Sequence, residues 1–408
     1  MNSLNILISA YACRPNQGSE PGVGWNTVNE IAKYHRVWVL TRSDNRPAIA
    51  SLNQDNANGN LHFIYCEPSP WLKWWWKSTQ IPHYYLWQLA AYLTARKLHQ
   101  QINFALVHHI TYVRYSTPSF LSLLPIPFLW GPVGGGETTP PSFWQDFSWR
   151  GKVYEILRSL VHQIGERDPF TRLTASRSVL TRATTKDTAT RLESMGASQV
   201  QICSESGLSQ QEIEFLGLLP LPPDHSIRLI SLARLLHWKG LHLSIRAFAQ
   251  ANFSANVEYW ILGEGAEQER LENLTRQLKI EQQVKFWGRL SREETLNKLG
   301  DCHVLVHPSL HDSGGWVCLE AMAAGRPVIC LNTGGPGMQV TEETGYKIPA
   351  INPTQTIEEL AQAMKYLAED RKLRDRLGKA AKKRVKAHFT WELKGKQLAQ
   401  LYNEIISS

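Results

Sequence analysis

Two cations and two carboxylates carry the chemistry this sequence offers. Arg234 and Lys239 lie between an apolar run, 227–233, and a helical stretch, 241–250. Cations fixed at a strand-to-helix junction stand where parallel sheets collect ligands, and there they stabilise anionic charge. Asp312 and Glu320 flank Ser313-Gly314-Gly315-Trp316. A glycine pair before a helix lets backbone N–H groups approach an anion, and the helix start favours negative charge there. The carboxylates suit sugar or ribose hydroxyls, from which they accept strong hydrogen bonds. Asn332-Thr333-Gly334-Gly335 is expected to close the anion pocket with its own N–H groups.

The elements that must position these groups follow from apolar runs and glycine or proline punctuation. The pattern predicts a strand at 304–306, a polar loop at 308–315, a helix at 316–324 stopped by Gly325 and Pro327, and a strand at 328–330. Upstream, 257–262 reads as a strand ending in Gly263-Glu264-Gly265, and 284–287 as one ending in Gly288-Arg289-Leu290. The first half opens with a strand at 4–10, a loop at 11–24 holding Gly22 and Gly24, a helix at 25–33 and a strand at 36–41. A strand at 104–107 ends in His108-His109, and one at 127–130 runs into a glycine-rich turn with Gly134 and Gly135. A histidine at such a strand end can polarise a hydroxyl near neutral pH. Neither glycine run has the third glycine of GxGxxG directly after a strand, which argues against a dinucleotide cofactor.

The chain of 408 residues has room for two domains, and 43% hydrophobic with 20% charged residues describes a globular protein. Six cysteines without CxxC pairs indicate neither a zinc site nor a disulfide framework. The N-terminal stretch has no signal-peptide pattern and no apolar run reaches 18 residues, so a cytoplasmic location is expected. Net charge is +8, and residues 1–205 supply most of it, with 19 Lys and Arg against 13 Asp and Glu. Tryptophan and lysine cluster in Trp71–Lys77, a composition suited to an anionic headgroup zone. Peripheral contact with the inner face of the cytoplasmic membrane is therefore expected through that segment. No nucleic-acid-binding motif accompanies the basic charge, so nucleic acid is not an expected partner.

Glu320-Ala-Met-Ala-Ala-Gly-Arg-Pro-Val-Ile329, with an acid eight residues before it, resembles the signature of the retaining nucleotide-sugar glycosyltransferases of family 4. These are the bacterial-type glycosyl transferases of group 1. Arg234-Leu-Leu-His-Trp-Lys239-Gly240 is similar to their Gly-Arg-Leu-x-x-x-Lys-Gly motif, with Ala233 in place of the first glycine. Asp312 stands where the family usually has Glu.

The resemblance implies the GT-B fold: α/β, two doubly wound Rossmann-like domains facing a cleft, with the C-terminal helix crossing back to the first domain. It places an acceptor-binding domain at 1–205, completed by helix 389–408, a linker at 206–226 and a donor-binding domain at 227–388. Arg234 and Lys239 would clamp a donor diphosphate, Glu320 the ribose, and Asp312 the sugar hydroxyls near the reacting carbon. Ser313, Gly314, Gly315, Trp316 and Gly263 would line the donor site, with Gly288, Arg289 and Leu290 at the nucleobase. Gly22 and Gly24 would approach the donor phosphates. Family members often carry Thr-x-His after the strand at 127–130; this chain lacks it, leaving His109, His108 or the backbone around Gly134 and Gly135 for that role.

The expected donor is a UDP-, GDP- or ADP-sugar and the acceptor a glycan or lipid-linked sugar, in cell-envelope or exopolysaccharide synthesis. No Asp-x-Asp occurs, so no metal and no other cofactor are expected. The alternatives are a non-catalytic nucleotide-sugar-binding homologue and a nucleotide-sugar epimerase.

Overall fold

Short runs of Val, Ile and Leu, buried on both sides, form two parallel sheets in the computed structural model, which describes residues 3–51, 59–68 and 80–407. The Trp71–Lys77 segment lies outside the described residues. The chain divides into two compact units.

The first unit comprises residues 1–136, 159–207 and 391–408. Its strands are β1 (Asn5–Ala10), β2 (Arg36–Arg42), β3 (Leu61–Cys66), β4 (Leu106–Thr111), β5 (Phe128–Val133), β6 (Ser178–Ala183) and β7 (Val200–Ile202). They lie in the order β3-β2-β1-β4-β5-β6-β7, so the winding reverses between β1 and β4. Alternate residues feed two cores. Leu7, Val107 and Trp130 pack on one face, and Ile6, Ile8, Leu106 and Leu129 on the other. Helix Trp391–Ser407 belongs to this unit, because Leu398, Ala399 and Tyr402 join the second core beside Val28 and Ile31.

The second unit comprises residues 137–158 and 208–390. Its strands are β8 (Ile227–Leu232), β9 (Val257–Leu262), β10 (Val284–Gly288), β11 (Val304–His307), β12 (Val328–Leu331) and β13 (Gly345–Ile348), in the order β10-β9-β8-β11-β12-β13. Its winding reverses between β8 and β11. Helices Leu241–Ala251 and Pro353–Glu369 cover the Leu229, Ile261, Val306 face. The Ile230, Trp260, Leu305 face lies under helices Gln210–Leu218 and Trp316–Ala323.

Three expected boundaries change. Residues 137–158 fall in the second unit rather than the first, because Phe143 and Phe147 are buried in its core beside Leu229 and Leu235. Each such ring contributes about 1.5–3 kcal/mol by burial, enough to decide which unit a 22-residue segment joins. The stretch 206–226, expected as a linker, carries helix Gln210–Leu218 from Leu208 onward. Ser209 and Glu212 close a reciprocal capping box on that helix, while Leu208, Ile213 and Leu216 are buried in the second unit. The first helix begins at Ser19 rather than at residue 25, so Gly22 and Gly24 are helical.

Candidate functional site

Ligands of doubly wound sheets bind outside the carboxyl ends of the strands where the winding reverses. In the second unit that point is the pair of loops after β8 and β11. The β8 loop ends in a turn, His237–Lys239, and Gly240 at φ +66°. A Cβ at Gly240 would stand 2.0 Å from the Pro308 carbonyl oxygen, so only glycine lets the β8 loop rest on the β11 loop. That contact brings Lys239 and Asp312 together, with Nζ 2.5 Å from Oδ2.

His307 Nε2 donates to the same oxygen at 3.3 Å, and Oδ1 accepts the N–H groups of Gly314 and Gly315 at 3.3 and 3.2 Å. Burial alone would raise the Asp312 pKa; the Lys239 charge and the His307 hydrogen bond outweigh it and hold the carboxyl well below its usual range. Asp312 is thus a fixed anion. Arg234, from the same β8 loop as Lys239, is exposed, and its guanidinium has no hydrogen-bond or ion-pair partner among the described residues.

The glycines expected to offer N–H groups to an anion mostly use them inside the protein. Besides the two that bind the Asp312 carboxylate, Gly335 N–H donates to the Asp312 carbonyl at 2.8 Å. Gly334, at φ +53°, and Gly335 have no space for a Cβ, which would meet the Asp312 and Ser313 carbonyl oxygens at 2.1 and 2.3 Å. These residues seat the β12 loop on the β11 loop and so hold Asp312 in place. Gly263 likewise presses on Ala233, and its N–H donates to the Gly288 carbonyl at 2.8 Å. Gly288, at φ +66°, has open space around its Cα, whereas Leu290 and Trp316 pack against the core. Arg289 is exposed and pairs with Glu264 at 3.2 Å.

Glu320 projects from the helix Trp316–Ala323 and is buried. Arg292 Nη1 donates to its Oε1 at 2.7 Å, and the other end of the guanidinium reaches Glu212 at 3.4 Å. Burial raises the Glu320 pKa and Arg292 offsets that only in part, leaving it above the ordinary value. Arg292 was not among the expected site residues; a lone arginine in Ser291-Arg-Glu-Glu294 resembles any solvated helix start.

The first unit treats its expected residues differently. His108 and His109 are both fully buried. On β4 they point to opposite faces: His108 lies 2.6 Å from both the Tyr402 hydroxyl and the Gly131 carbonyl, and His109 Nε2 lies 3.0 Å from the Thr111 carbonyl. Burial keeps both neutral, with His109 brought down to about 4. Neither presents a ring nitrogen to an open surface, which corrects their expected place against a ligand. Gly134 exchanges both backbone bonds with Val113 and Tyr115. Gly135, at φ +90°, has open space where a Cβ would be. Gly22 and Gly24 bring their helix within contact of the carbonyls of Gln17 and Ala12. The close approach they permit is therefore to this chain's own backbone. At the β1/β4 reversal the carboxylate is Glu20, which accepts the Tyr112 N–H at 2.8 Å and whose pKa is raised by burial.

A second buried cluster lies beside Lys239. Glu155 Oε1 is 3.0 Å from His237 Nε2 and 3.5 Å from His311 Nε2, and Arg158 stands at 3.9 Å from the other oxygen. Trp238 is stacked between Tyr154 and His311. Burial would raise the Glu155 pKa, but the His237 hydrogen bond and the close approach of His311 and Arg158 bring it down to about 2. Sequence spacing gave no sign of this cluster, since its members come from three distant segments. A cavity of about 760 Å³ shares His237 with this cluster and is lined also by Trp149, His242 and Arg270 among others. That cavity contains none of Arg234, Lys239, Asp312 and Glu320, so volume does not locate the chemistry.

Comparison with known proteins bears on both units. The chain is 30% identical over 176 residues to a glycogen synthase of Mycobacterium tuberculosis, an alignment spanning 43% of this chain and 42% of that protein. It is 29% identical over 168 residues to the lipopolysaccharide core biosynthesis glycosyltransferase LpsD of Rhizobium meliloti, spanning 41% and 47%. The chain thus covers less than half the length of these relatives. Over almost the whole chain, the fold matches the sucrose-phosphate synthase of Thermosynechococcus elongatus, with a TM-score of 0.68, 19% identity and 99% of each chain covered. It also matches Anabaena HepE in complex with UDP-glucose, with a TM-score of 0.62, 18% identity and 98% and 100% covered. The two parallel-sheet units are those of a GT-B fold. Residues 220–384, which contain Arg234, Lys239, Asp312 and Glu320, match the family model of the glycosyl transferases group 1.

Proposed function

We propose that this protein transfers a sugar from a nucleotide-sugar donor to a glycan or lipid-linked acceptor, with retention at the anomeric carbon and without a metal ion. The observation that carries the reading is the position of Arg234, whose guanidinium has no partner among the described residues, beside the Lys239–Asp312 ion pair at the winding reversal of the second unit. Arg234 is free to take an anionic ligand. Lys239 is held by Asp312 and can be shared between that carboxylate and a diphosphate. Two fixed cations stabilise the charge that grows on the leaving diphosphate as its bond to the sugar breaks. Asp312 faces hydroxyls of the transferring sugar, and Glu320, fixed by Arg292, faces those of the ribose. The acceptor oxygen forms its bond to the anomeric carbon on the face the diphosphate leaves, and its proton passes to the departing phosphate oxygen.

The named relatives act in glycogen and lipopolysaccharide synthesis, and Anabaena HepE binds UDP-glucose. Both support a nucleotide-sugar donor and a saccharide acceptor. No helix among the described residues is long and apolar enough to cross a membrane. We place the reaction in the cytoplasm, with a cell-envelope or exopolysaccharide product.

The test is incubation with UDP-, GDP- and ADP-sugars in EDTA, without acceptor, following release of nucleoside diphosphate. Slow hydrolysis of one donor is expected, with the released sugar appearing first as the donor's own anomer by proton NMR. Failure of all three nucleoside diphosphates to bind by calorimetry overturns the reading. Hydrolysis abolished by EDTA and restored by a divalent ion overturns its metal-free part.

A further inference from the structure

Helix Trp149–Arg167 is built inside out. A helix on a soluble protein normally buries its apolar stripe and exposes its polar one. Here the buried positions are Gly151, Glu155 and Gly165, with Arg158, His162 and Glu166 partly covered between them. The exposed positions include Val153, Ile156, Leu157, Leu160, Val161 and Ile164, bounded by Trp149 at the helix start. Trp149 and Ile164 are each 69% exposed. At 100° per residue these side chains share one face, opposite the one that carries Glu155, Arg158 and His162. The buried polar stripe has partners: Glu155 holds His237, Arg158 donates to the Glu137 carbonyl at 2.7 Å, and Glu166 pairs with Arg191. The helix is therefore fixed in this orientation by its polar side, and a row of large apolar residues faces water. Contiguous exposed apolar surface of this kind marks an interaction site.

The charges around the stripe identify the occupant. The exposed charged residues of the helix are Arg150, Lys152 and Arg167, all basic, and both acids of the helix lie on its covered side. The Arg150 guanidinium lies over the Trp149 ring at 5.4 Å. Beyond the helix end Phe170 is half exposed, and Arg172 and Arg177 are exposed. An apolar stripe bordered by cations, with an aromatic ring at one end, suits a helix lying in the headgroup region of an anionic bilayer. A second copy of the chain pairing through this face would bring like charges together with no exposed acid on the helix to meet them. We infer that the face of Trp149–Ile164 docks the protein onto an anionic lipid surface. This docking does not rest on the transfer reading.

The experiment is sedimentation of the full chain with phosphatidylcholine vesicles, with and without phosphatidylglycerol, at low and high salt. Three proteins are compared: wild type; Ile156→Gln/Leu160→Gln/Ile164→Gln, whose positions face water; and Arg150→Gln/Lys152→Gln/Arg167→Gln, which leaves the apolar stripe intact. Wild type is expected to bind only the anionic vesicles and to be released by salt. The apolar triple variant is expected to lose about tenfold or more in binding. The basic triple variant is expected to lose the preference for phosphatidylglycerol. Hydrolysis of donor in solution should be unchanged in both, which keeps this outcome distinct from that of the transfer reading. The inference is overturned by wild type that fails to sediment with anionic vesicles, or by an apolar variant that binds as well as wild type. It is equally overturned by a wild-type dimer in sedimentation velocity that the apolar substitutions convert to monomer, since a second copy then covers the face.

Discussion

Removing Arg234 and removing Lys239 should have different consequences, because only one of the two is engaged in the ligand-free protein. Lys239 Nζ lies 2.5 Å from Asp312, in a pair whose side chains are 14% and 18% exposed. Such a pair falls between a surface ion pair, worth about 0–1 kcal/mol, and a buried one, whose disruption costs about 3–5 kcal/mol. Lys239→Ala leaves Asp312 with His307 and two backbone N–H groups, so a loss of about 1–2 kcal/mol in stability is expected. Arg234 is exposed with its guanidinium unpartnered among the described residues, and Arg234→Ala should change stability by no more than about 0.5 kcal/mol.

On turnover the two should converge. A cation about 4 Å from a phosphate, at an effective dielectric of about 20, interacts by about 4 kcal/mol. Loss of one fixed charge-stabilising group lowers kcat by about 10²–10³, or roughly 2.7–4 kcal/mol. The assay is donor hydrolysis or transfer at saturating donor, alongside thermal unfolding of each variant. Turnover within about threefold of wild type in both variants would refute the clamp, since a loss of one such group is expected to exceed about 10². A stability loss in Arg234→Ala equal to that in Lys239→Ala would show that Arg234 is structural.

Other expectations follow from the same geometry. Glu320→Gln removes the charge that Arg292 holds at 2.7 Å, and nucleoside diphosphate affinity by calorimetry should fall about tenfold or more, by the strength of a charge-assisted hydrogen bond; unchanged affinity removes Glu320 from the ribose. Gly334→Ala combines φ +53° with a Cβ 2.1 Å from the Asp312 carbonyl oxygen, and chemical denaturation should show a loss of roughly 2–4 kcal/mol, whereas a neutral outcome would mean the β12 loop has room to move.

Glu155 is held to about 2 by His237, His311 and Arg158 against its burial. A carboxyl with a depressed folded pKa stabilises the fold above its unfolded value, near 4.3, and that contribution is lost as pH falls toward the folded one. Wild type should therefore lose on the order of 3 kcal/mol more than Glu155→Gln on acidification from about pH 5 to about pH 2; parallel melting curves across that range would count against the cluster.

The parts of the site legible in the sequence are those made by local pattern. The alternation of apolar strands with glycine and proline stops set the elements around Asp312 and Glu320, and the strand-to-helix junction marked Arg234 and Lys239. What was hidden depends on contacts between distant segments. Phe143 and Phe147 read as ordinary aromatic residues until the structure buries them beside Leu229. The Ser209-x-x-Glu212 capping box was present in the sequence, but the Leu and Pro residues that follow it read as a linker. His108 and His109 satisfy the chemistry of a ligand-facing pair, yet a strand buried on both faces turns one toward Tyr402 and the other toward Tyr84. Gly314, Gly315 and Gly335 were recognisable as sites of close approach. Sequence alone could not tell that what approaches is the Asp312 carboxylate or carbonyl rather than an external anion.

Hydrogen–deuterium exchange with and without UDP, GDP and ADP is the most direct measurement of where the donor binds. The nucleotide that binds is expected to slow exchange in the β8 loop around Arg234 to Gly240, in the turn at Gly288 to Leu290, and from Asp312 to Glu320, with the effect lost in Arg234→Ala/Lys239→Ala. Protection confined to other segments, or unchanged in that double variant, would contradict the placement of the donor at the β8/β11 reversal.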